Sequence, residues 1–179
     1  NFNQGAVSGK FSLRGFNGEG EVNAVKLLVD GVPANSNDGN MPYIDMVFPI
    51  DIEAIEVVRG TADPRFGLHA IAGSANIQTR IGGTYPDAKA SAGGFGTYEG
   101  QLSAGIETGK LTQNYLAAYR RSGGYRDHGN LDRMAFAGKW FYSPTENLRL
   151  GAIARYYESD AQEAGYLTFA DSRRDPTMT

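Results

Sequence analysis

The sequence predicts a mostly β chain made of two unlike parts. A small mixed α/β part comes first, and a run of long antiparallel strands follows it. Three observations lead there. The 179 residues include 24 glycines and 20 aromatics (10 Tyr, 9 Phe, 1 Trp), a mixture that suits turns and exposed β surface. Charge and aromatics are unevenly placed: residues 1–86 hold 6 Lys/Arg against 9 Asp/Glu, residues 87–179 hold 11 of each, and 13 of the aromatics lie after residue 86. The second part alternates polar and apolar residues with a period of two, whereas the first part shows short apolar runs cut by loops.

Composition excludes several classes. Neither part carries a basic stripe, so nucleic acid is not an expected partner. With no cysteine there is no disulfide, thiolate metal site or cysteine nucleophile, although this leaves the compartment open. No stretch approaches the roughly 18 apolar residues of a membrane helix. The chain opens "NFNQGAVSG", with neither the basic nor the apolar region of a signal peptide.

The first part is read as follows. "KFSLRGF" (Lys10–Phe16) alternates as a strand would. "VKLLVDGVP" (Val25–Pro33) is an apolar strand turning at Asp30-Gly31, a hairpin signal. Ala34–Tyr43 is a polar loop. Pro49 and its acidic neighbours start a short helical turn that gives way to a strand over Glu53–Arg59. "TADPRFG" is a further helical turn, and a last strand covers Ala75–Thr79. The "GGTYPD" turn (Gly82–Asp87) joins the two parts, giving domains 1–86 and 87–179.

In the second part, Ala88–Gly94 is a weak first strand. In "TYEGQLSAGIE" one face is Tyr98, Gly100, Leu102, Ala104 and Ile106. In "DRMAFAGKWFY" it is Met134, Phe136, Gly138, Trp140 and Tyr142, with Arg133 and Lys139 opposite. In "NLRLGAIARYYE" it is Leu148, Leu150, Ala152, Ala154 and Tyr156. "LTQNYLAAYRR" sets Tyr115, Ala117 and Tyr119 against Asn114, Leu116, Ala118 and Arg120. Tight links at Phe95–Thr97, Thr108–Lys110 and Ser143–Asn147 contrast with the long polar Ser122–Asn130 and the charged tail after Glu158. Strands of about ten residues, with short turns at one end and mostly longer loops at the other, are the pattern of a transmembrane β-barrel. A soluble antiparallel sheet with one wet face would show the same alternation. Against it, Gly100, Ala104, Ala152 and Ala154 would fill a soluble core poorly.

The first part is the more specific. Arg14-Gly15-Phe16, Asp30-Gly31-Val32-Pro33, Ile52–Gly60, Phe66-Gly67 and Gly73-Ser74-Ala75-Asn76-Ile77 occur in the order found in the plug domain of TonB-dependent outer-membrane receptors, which this sequence resembles over Lys10–Arg80. Thr61 and Ala72 depart from the family pattern, which has Pro and Gly there. The resemblance implies a plug domain followed by the first five or so strands of a truncated transmembrane barrel in the outer membrane of a Gram-negative bacterium. It implies import of a scarce small molecule such as a ferric siderophore or another metal chelate. A TonB-type protein would supply the energy through a segment N-terminal to the plug, absent from this chain, and lipid would surround the wall. It implies that Arg14 and Arg59 form an ion cluster with barrel glutamates located after residue 179. Asn35, Asn37, Asp38 and Tyr43 become ligand contacts at an outward apex, with Phe2–Gln4 as a further apex. A structural or adhesive barrel and a soluble β-rich binding module are the rival readings.

No enzyme is expected. His69 and His128 are the only histidines and fall in separate segments, a glycine-rich turn and an outer loop, so they do not suggest a shared metal site. "SNDGN" lacks the first carboxylate of a calcium loop, since Ala34 stands there. "GFNGEG" precedes no helix that would bind phosphate, and "GLHAIAGS" lacks the P-loop lysine. No Ser-His-Asp set has supporting context, and no cofactor is expected.

Overall fold

The computed structural model describes residues 13, 25–35, 44–60, 70–162 and 164–178. The chain divides into two compact units with a junction between Arg80 and Ile81. Each is described by itself.

In the first unit, β1 (Val25–Val29) and β2 (Val32–Pro33) form a hairpin, followed by β3 (Ile52–Arg59) and β4 (Gly73–Thr79). The sheet order is β2-β1-β4-β3. β1 runs parallel to β4, and β3 runs antiparallel to it. The hairpin turns on Asp30 (φ 51°) and Gly31 (φ 79°), with Val29 facing Val32. Two successive positive φ angles define a type I′ turn, whose twist matches that of the strands it joins. The expected helical turn is 3₁₀ over Pro49–Asp51, with Pro at its start where no donor is needed. Val25, Leu27, Ala72, Ala75 and Ile77 form the core, with Leu13, Ala34, Ile44, Val47 and Ile52 packed on it. The expected strand Lys10–Phe16 and the helical turn over residues 61–67 otherwise lie outside the described residues.

The second unit is a five-stranded antiparallel sheet in chain order: β5 (Tyr85–Gly93), β6 (Thr97–Thr108), β7 (Leu111–Ser122), β8 (Leu131–Thr145) and β9 (Leu148–Ala161). β5 starts three residues before the expected Ala88, because Tyr85 already pairs with Gly105. β8 continues through Pro144 to Thr145 with a register shift after Tyr142, so its link to β9 shrinks to Glu146 and Asn147. The tail, expected as a plain loop, holds a short helix, α1 (Phe169–Arg174). No helix among the described residues is long and apolar enough to cross a membrane.

One face of this sheet leaves large apolar side chains open, and the other buries polar side chains beside Leu116, Ala118 and Ala135. Tyr98, Leu102, Tyr119, Phe136, Tyr142 and Tyr156 are exposed, while Gln101, Ser103, Asn114 and Lys139 are buried. The register puts the apolar residues on one face: Leu102 faces Ala117, Ala117 faces Phe136, and Phe136 faces Tyr156. β7 presents Tyr115, Ala117 and Tyr119 on that face.

Candidate functional site

The turn at Asp30 does more than reverse the chain. The Asp30 carboxylate accepts hydrogen bonds from the Thr79 backbone N–H (2.7 Å) and from its hydroxyl (2.9 and 2.7 Å to the two oxygens). The Gly31 N–H donates to Asn76 Oδ1 (3.0 Å), and the Asp30 N–H donates to the Ile77 carbonyl (2.9 Å). The "Asp-Gly-Val-Pro" and "Gly-Ser-Ala-Asn-Ile" motifs are thus two halves of one joint, brought together by the parallel pairing of β1 with β4. The partners of Thr79 and Asn76 escaped the sequence reading, since they lie more than forty residues upstream.

Asn35, expected at a ligand, completes the sheet edge here. Its Oδ1 accepts from the Leu27 N–H (2.8 Å) and its Nδ2 donates to the Val25 carbonyl (3.2 Å). The side-chain amide stands where a longer β2 would have paired with β1. Asn37, Asp38, Tyr43, the Phe2–Gln4 segment and Arg14 lie outside the described residues.

Arg59 is exposed at the end of β3, opposite Gly73. The chain then leaves at Gly60 (φ 90°), whose N–H donates to the Ala72 carbonyl (3.1 Å). Gly73 is obligatory: at φ 138° a Cβ would stand 2.2 Å from the Val58 carbonyl oxygen. Ala72 takes no positive φ and is buried in the core, so alanine serves there without strain.

On the sheet of the second unit, polar groups gather at both margins of the apolar face. Toward one margin the Tyr119 hydroxyl donates to Asp132 and the Tyr156 hydroxyl to Glu158, each at 2.6 Å. Toward the other, Trp140 Nε1 donates to the Tyr115 hydroxyl (3.1 Å), which donates to Gln113 (2.8 Å). The ten steps from Asp132 to Tyr142 rise about 33 Å along the strand, or about 25 Å at a tilt near 40°. That is the height of the apolar band of an outer-membrane barrel. The opposite face mixes polar residues with Leu116, Ala118 and Ala135, and there Arg120 pairs with Glu99 (3.3 Å) and Gln101 donates to the same carboxylate.

The long loop and the tail lie at one end of the sheet and are clasped together. Arg126 donates through Nη1 to the Gly165 carbonyl (2.7 Å), and through Nη2 and Nε to the Met178 carbonyl (2.7 and 3.1 Å). The Asp127 N–H donates to the Thr177 carbonyl (2.7 Å), and the Gln162 N–H to that of Asn130 (2.8 Å). One guanidinium therefore closes both ends of an Ω-shaped segment that carries α1. Among the described residues no group of three His, Cys, Asp or Glu side chains could hold a metal ion.

Residues 1–74 match the model of the TonB-dependent receptor plug domain. Among solved structures, the copper transporter OprC is 18% identical, with a TM-score of 0.74 over 92% of this chain and 27% of that one. The pyoverdine outer-membrane receptor FpvA of Pseudomonas aeruginosa PAO1 is 18% identical, with a TM-score of 0.67 over 90% of this chain and 25% of that one. The ferric yersiniabactin uptake receptor FyuA of Yersinia pestis is 20% identical, with a TM-score of 0.67 over 83% and 24%. At these identities the likeness is one of fold. The chain spans about a quarter of the length of the receptors it matches. The resemblance carried by the motifs, and the fold expected from it, are both borne out.

Proposed function

We propose that this chain is part of a TonB-dependent outer-membrane receptor. In this reading the plug ends at Arg80, where the first unit ends, rather than at the expected residue 86, and the barrel wall begins with the segment that enters β5. The receptor imports a scarce metal chelate, a ferric siderophore being the first candidate. A TonB-type protein drives entry by pulling on a segment N-terminal to the plug. The chain has the parts of a gate and a wall, and no catalytic step is assigned to it.

The observation that carries this reading is the exposed apolar face of the sheet that follows a plug-type unit in the chain. Leaving a large apolar side chain half exposed costs on the order of 1 kcal/mol. Tyr98, Leu102, Ile106, Tyr115, Tyr119, Phe136, Trp140, Tyr142, Leu148, Leu150 and Tyr156 are all exposed on one face. In water their sum would rival the whole stability of a domain, about 5–15 kcal/mol. Against lipid the cost disappears, and this weighs against the soluble binding module. The copper and iron-chelate cargoes of the structural neighbours support a chelated metal as the class, with iron as the specific proposal.

The test is uptake of a panel of radiolabelled ferric and other metal chelates by cells carrying the complete gene. Uptake that is lost when the energising protein is deleted is the expected result. A receptor that reaches the outer membrane but imports nothing would favour the adhesive barrel. The wall can be tested separately, because a chain without cysteine accepts single labels cleanly. Spin labels at Leu102→Cys and Gln101→Cys should differ, with oxygen in the bilayer reaching only the first.

A further inference from the structure

The segment that enters β5 is held by more than the β-ladder needs. Strand pairing begins at Tyr85, opposite Gly105. Upstream of it, Gly82 (φ 94°) is gripped at both ends by one side chain: its N–H donates to Asn114 Oδ1 (2.8 Å), and its carbonyl accepts from Asn114 Nδ2 (3.1 Å). Asn114 is buried, and the same Nδ2 also donates to the Tyr85 hydroxyl (3.2 Å). The next residue, Gly83 (φ 79°), donates its N–H to Glu107 Oε1 (2.8 Å), and the Glu107 N–H donates to Thr84 Oγ1 (3.2 Å). Gly105 makes room for this approach, since a Cβ there would lie 2.4 Å from the Gly83 carbonyl oxygen and 2.5 Å from Tyr85 Cε1.

Gripping residues come from β6 (Gly105, Glu107) and β7 (Asn114). Groups mounted on paired strands hold their geometry better than groups on loops. An asparagine amide matched to both polar groups of one residue imitates a neighbouring strand for a segment that lies ahead of the ladder. The two glycines let the backbone turn its amides toward Asn114 and Glu107, with φ values a side chain would resist.

We propose that residues 81–85 are a wall-borne anchor, with Asn114 and Glu107 as its positioning residues. Displacement of the preceding unit during gating then ends at Arg80, and the anchor stays on the wall. This inference rests on the reading of the first unit as a gating plug. It adds the point at which gating motion stops.

Two measurements on the full-length receptor test it. Hydrogen exchange should show slow amides at Gly82 and Gly83. Asn114→Ala should speed exchange at Gly82 at least tenfold, and Glu107→Ala should do so at Gly83, with the amides in the middle of β6 and β7 unchanged. Fast exchange at both glycines in the unsubstituted receptor, or no change in the variants, overturns the anchor. In the second measurement, Thr84→Cys with Ile106→Cys, which the register of Tyr85 with Gly105 sets opposite each other, ties the segment to β6 by a disulfide and leaves Asn114 and Glu107 in place. Uptake of a labelled chelate by the oxidised receptor should match that of the reduced one. Uptake lost on oxidation and restored by reductant would show that the segment must move, and overturns the proposal. If the unsubstituted receptor imports no chelate, the import reading fails instead, and the exchange data still decide the anchor.

Discussion

An aspartate in a two-residue turn is usually explained by its tolerance of positive φ, and Asp30 needs that tolerance. Its carboxylate also holds both donors of Thr79, so removing it leaves a buried N–H and hydroxyl without their acceptor. Asp30→Ala should destabilise the first unit by about 1–3 kcal/mol, read from denaturant unfolding. Thr79→Val keeps the backbone donor and should cost less. Glycines give a second residue-scale contrast. Gly31 and Gly73 both have positive φ, but a Cβ on Gly31 meets nothing within 4 Å, whereas one on Gly73 strikes the Val58 carbonyl. Gly31→Ala should therefore cost about 1–2 kcal/mol from backbone conformation alone. Gly73→Ala adds the clash and should cost about 3 kcal/mol or more. A Gly73→Ala protein as stable as Gly31→Ala would contradict this geometry. The turn at Asp30-Gly31 was legible in the sequence because φ preference is local. Its grip on Thr79 was not, because it depends on a parallel register between distant strands. Asn35 shows the same limit: its part in completing the strand edge depends on a pairing that the polar loop around it does not reveal.

At the scale of elements, the strands of the second unit were legible because a period of two survives any packing. Their ends were less so. Pro144 suggested a link, yet β8 bends through it by shifting register. The helix α1 left little trace, since six residues are far below the roughly 12–15 at which an isolated helix becomes marginal. Its start is capped by Thr168, whose hydroxyl accepts from the Asp171 N–H (3.2 Å). The clasp at Arg126 supplies the tertiary support. Arg126→Ala should release the segment 165–178, seen as fast proteolytic nicking there with the strands intact. Arg126→Lys should restore little, because an ammonium cannot span two carbonyls as the guanidinium fork does. Acid should loosen the same segment. Hydrogen bonds from the Thr177 hydroxyl and N–H hold the Asp175 carboxyl below its ordinary range. A group depressed in the folded state stabilises above its unfolded value and loses that contribution as pH falls through the folded one. Nicking should thus rise only below the ordinary carboxylate range, and by a small amount, because Asp175 is exposed. The exposed Arg59 belongs to the ion-cluster proposal. If carboxylates of the complete barrel meet it, Arg59→Ala in the full receptor should make the plug more susceptible to protease, and unchanged resistance would count against the cluster.

For the whole molecule, the two kinds of surface set the conditions under which the chain can exist. The first unit has an ordinary interior built on Val25, Leu27 and Ile77. The second exposes its large aromatic and aliphatic side chains on one face, and buries Gln101, Ser103, Asn114 and Lys139 beside Leu116, Ala118 and Ala135 on the other. Among the described residues, β5 and β9 each have a strand partner on one side only. Closing a barrel requires the strand count, tilt and shear to agree, and five strands cannot meet that condition. Unpaired edges of nine and fourteen residues are templates for pairing with further chains. In water the apolar face and the two edges act together, since stacking such faces removes the solvent cost and joining the edges satisfies the backbone. The isolated 179-residue chain should therefore sediment as β-rich aggregate from aqueous buffer. Detergent micelles should keep it dispersed by covering the face. A single cooperative thermal transition from a monomer in plain buffer would mean that the apolar face has a partner within the chain, and the membrane wall would have to be given up.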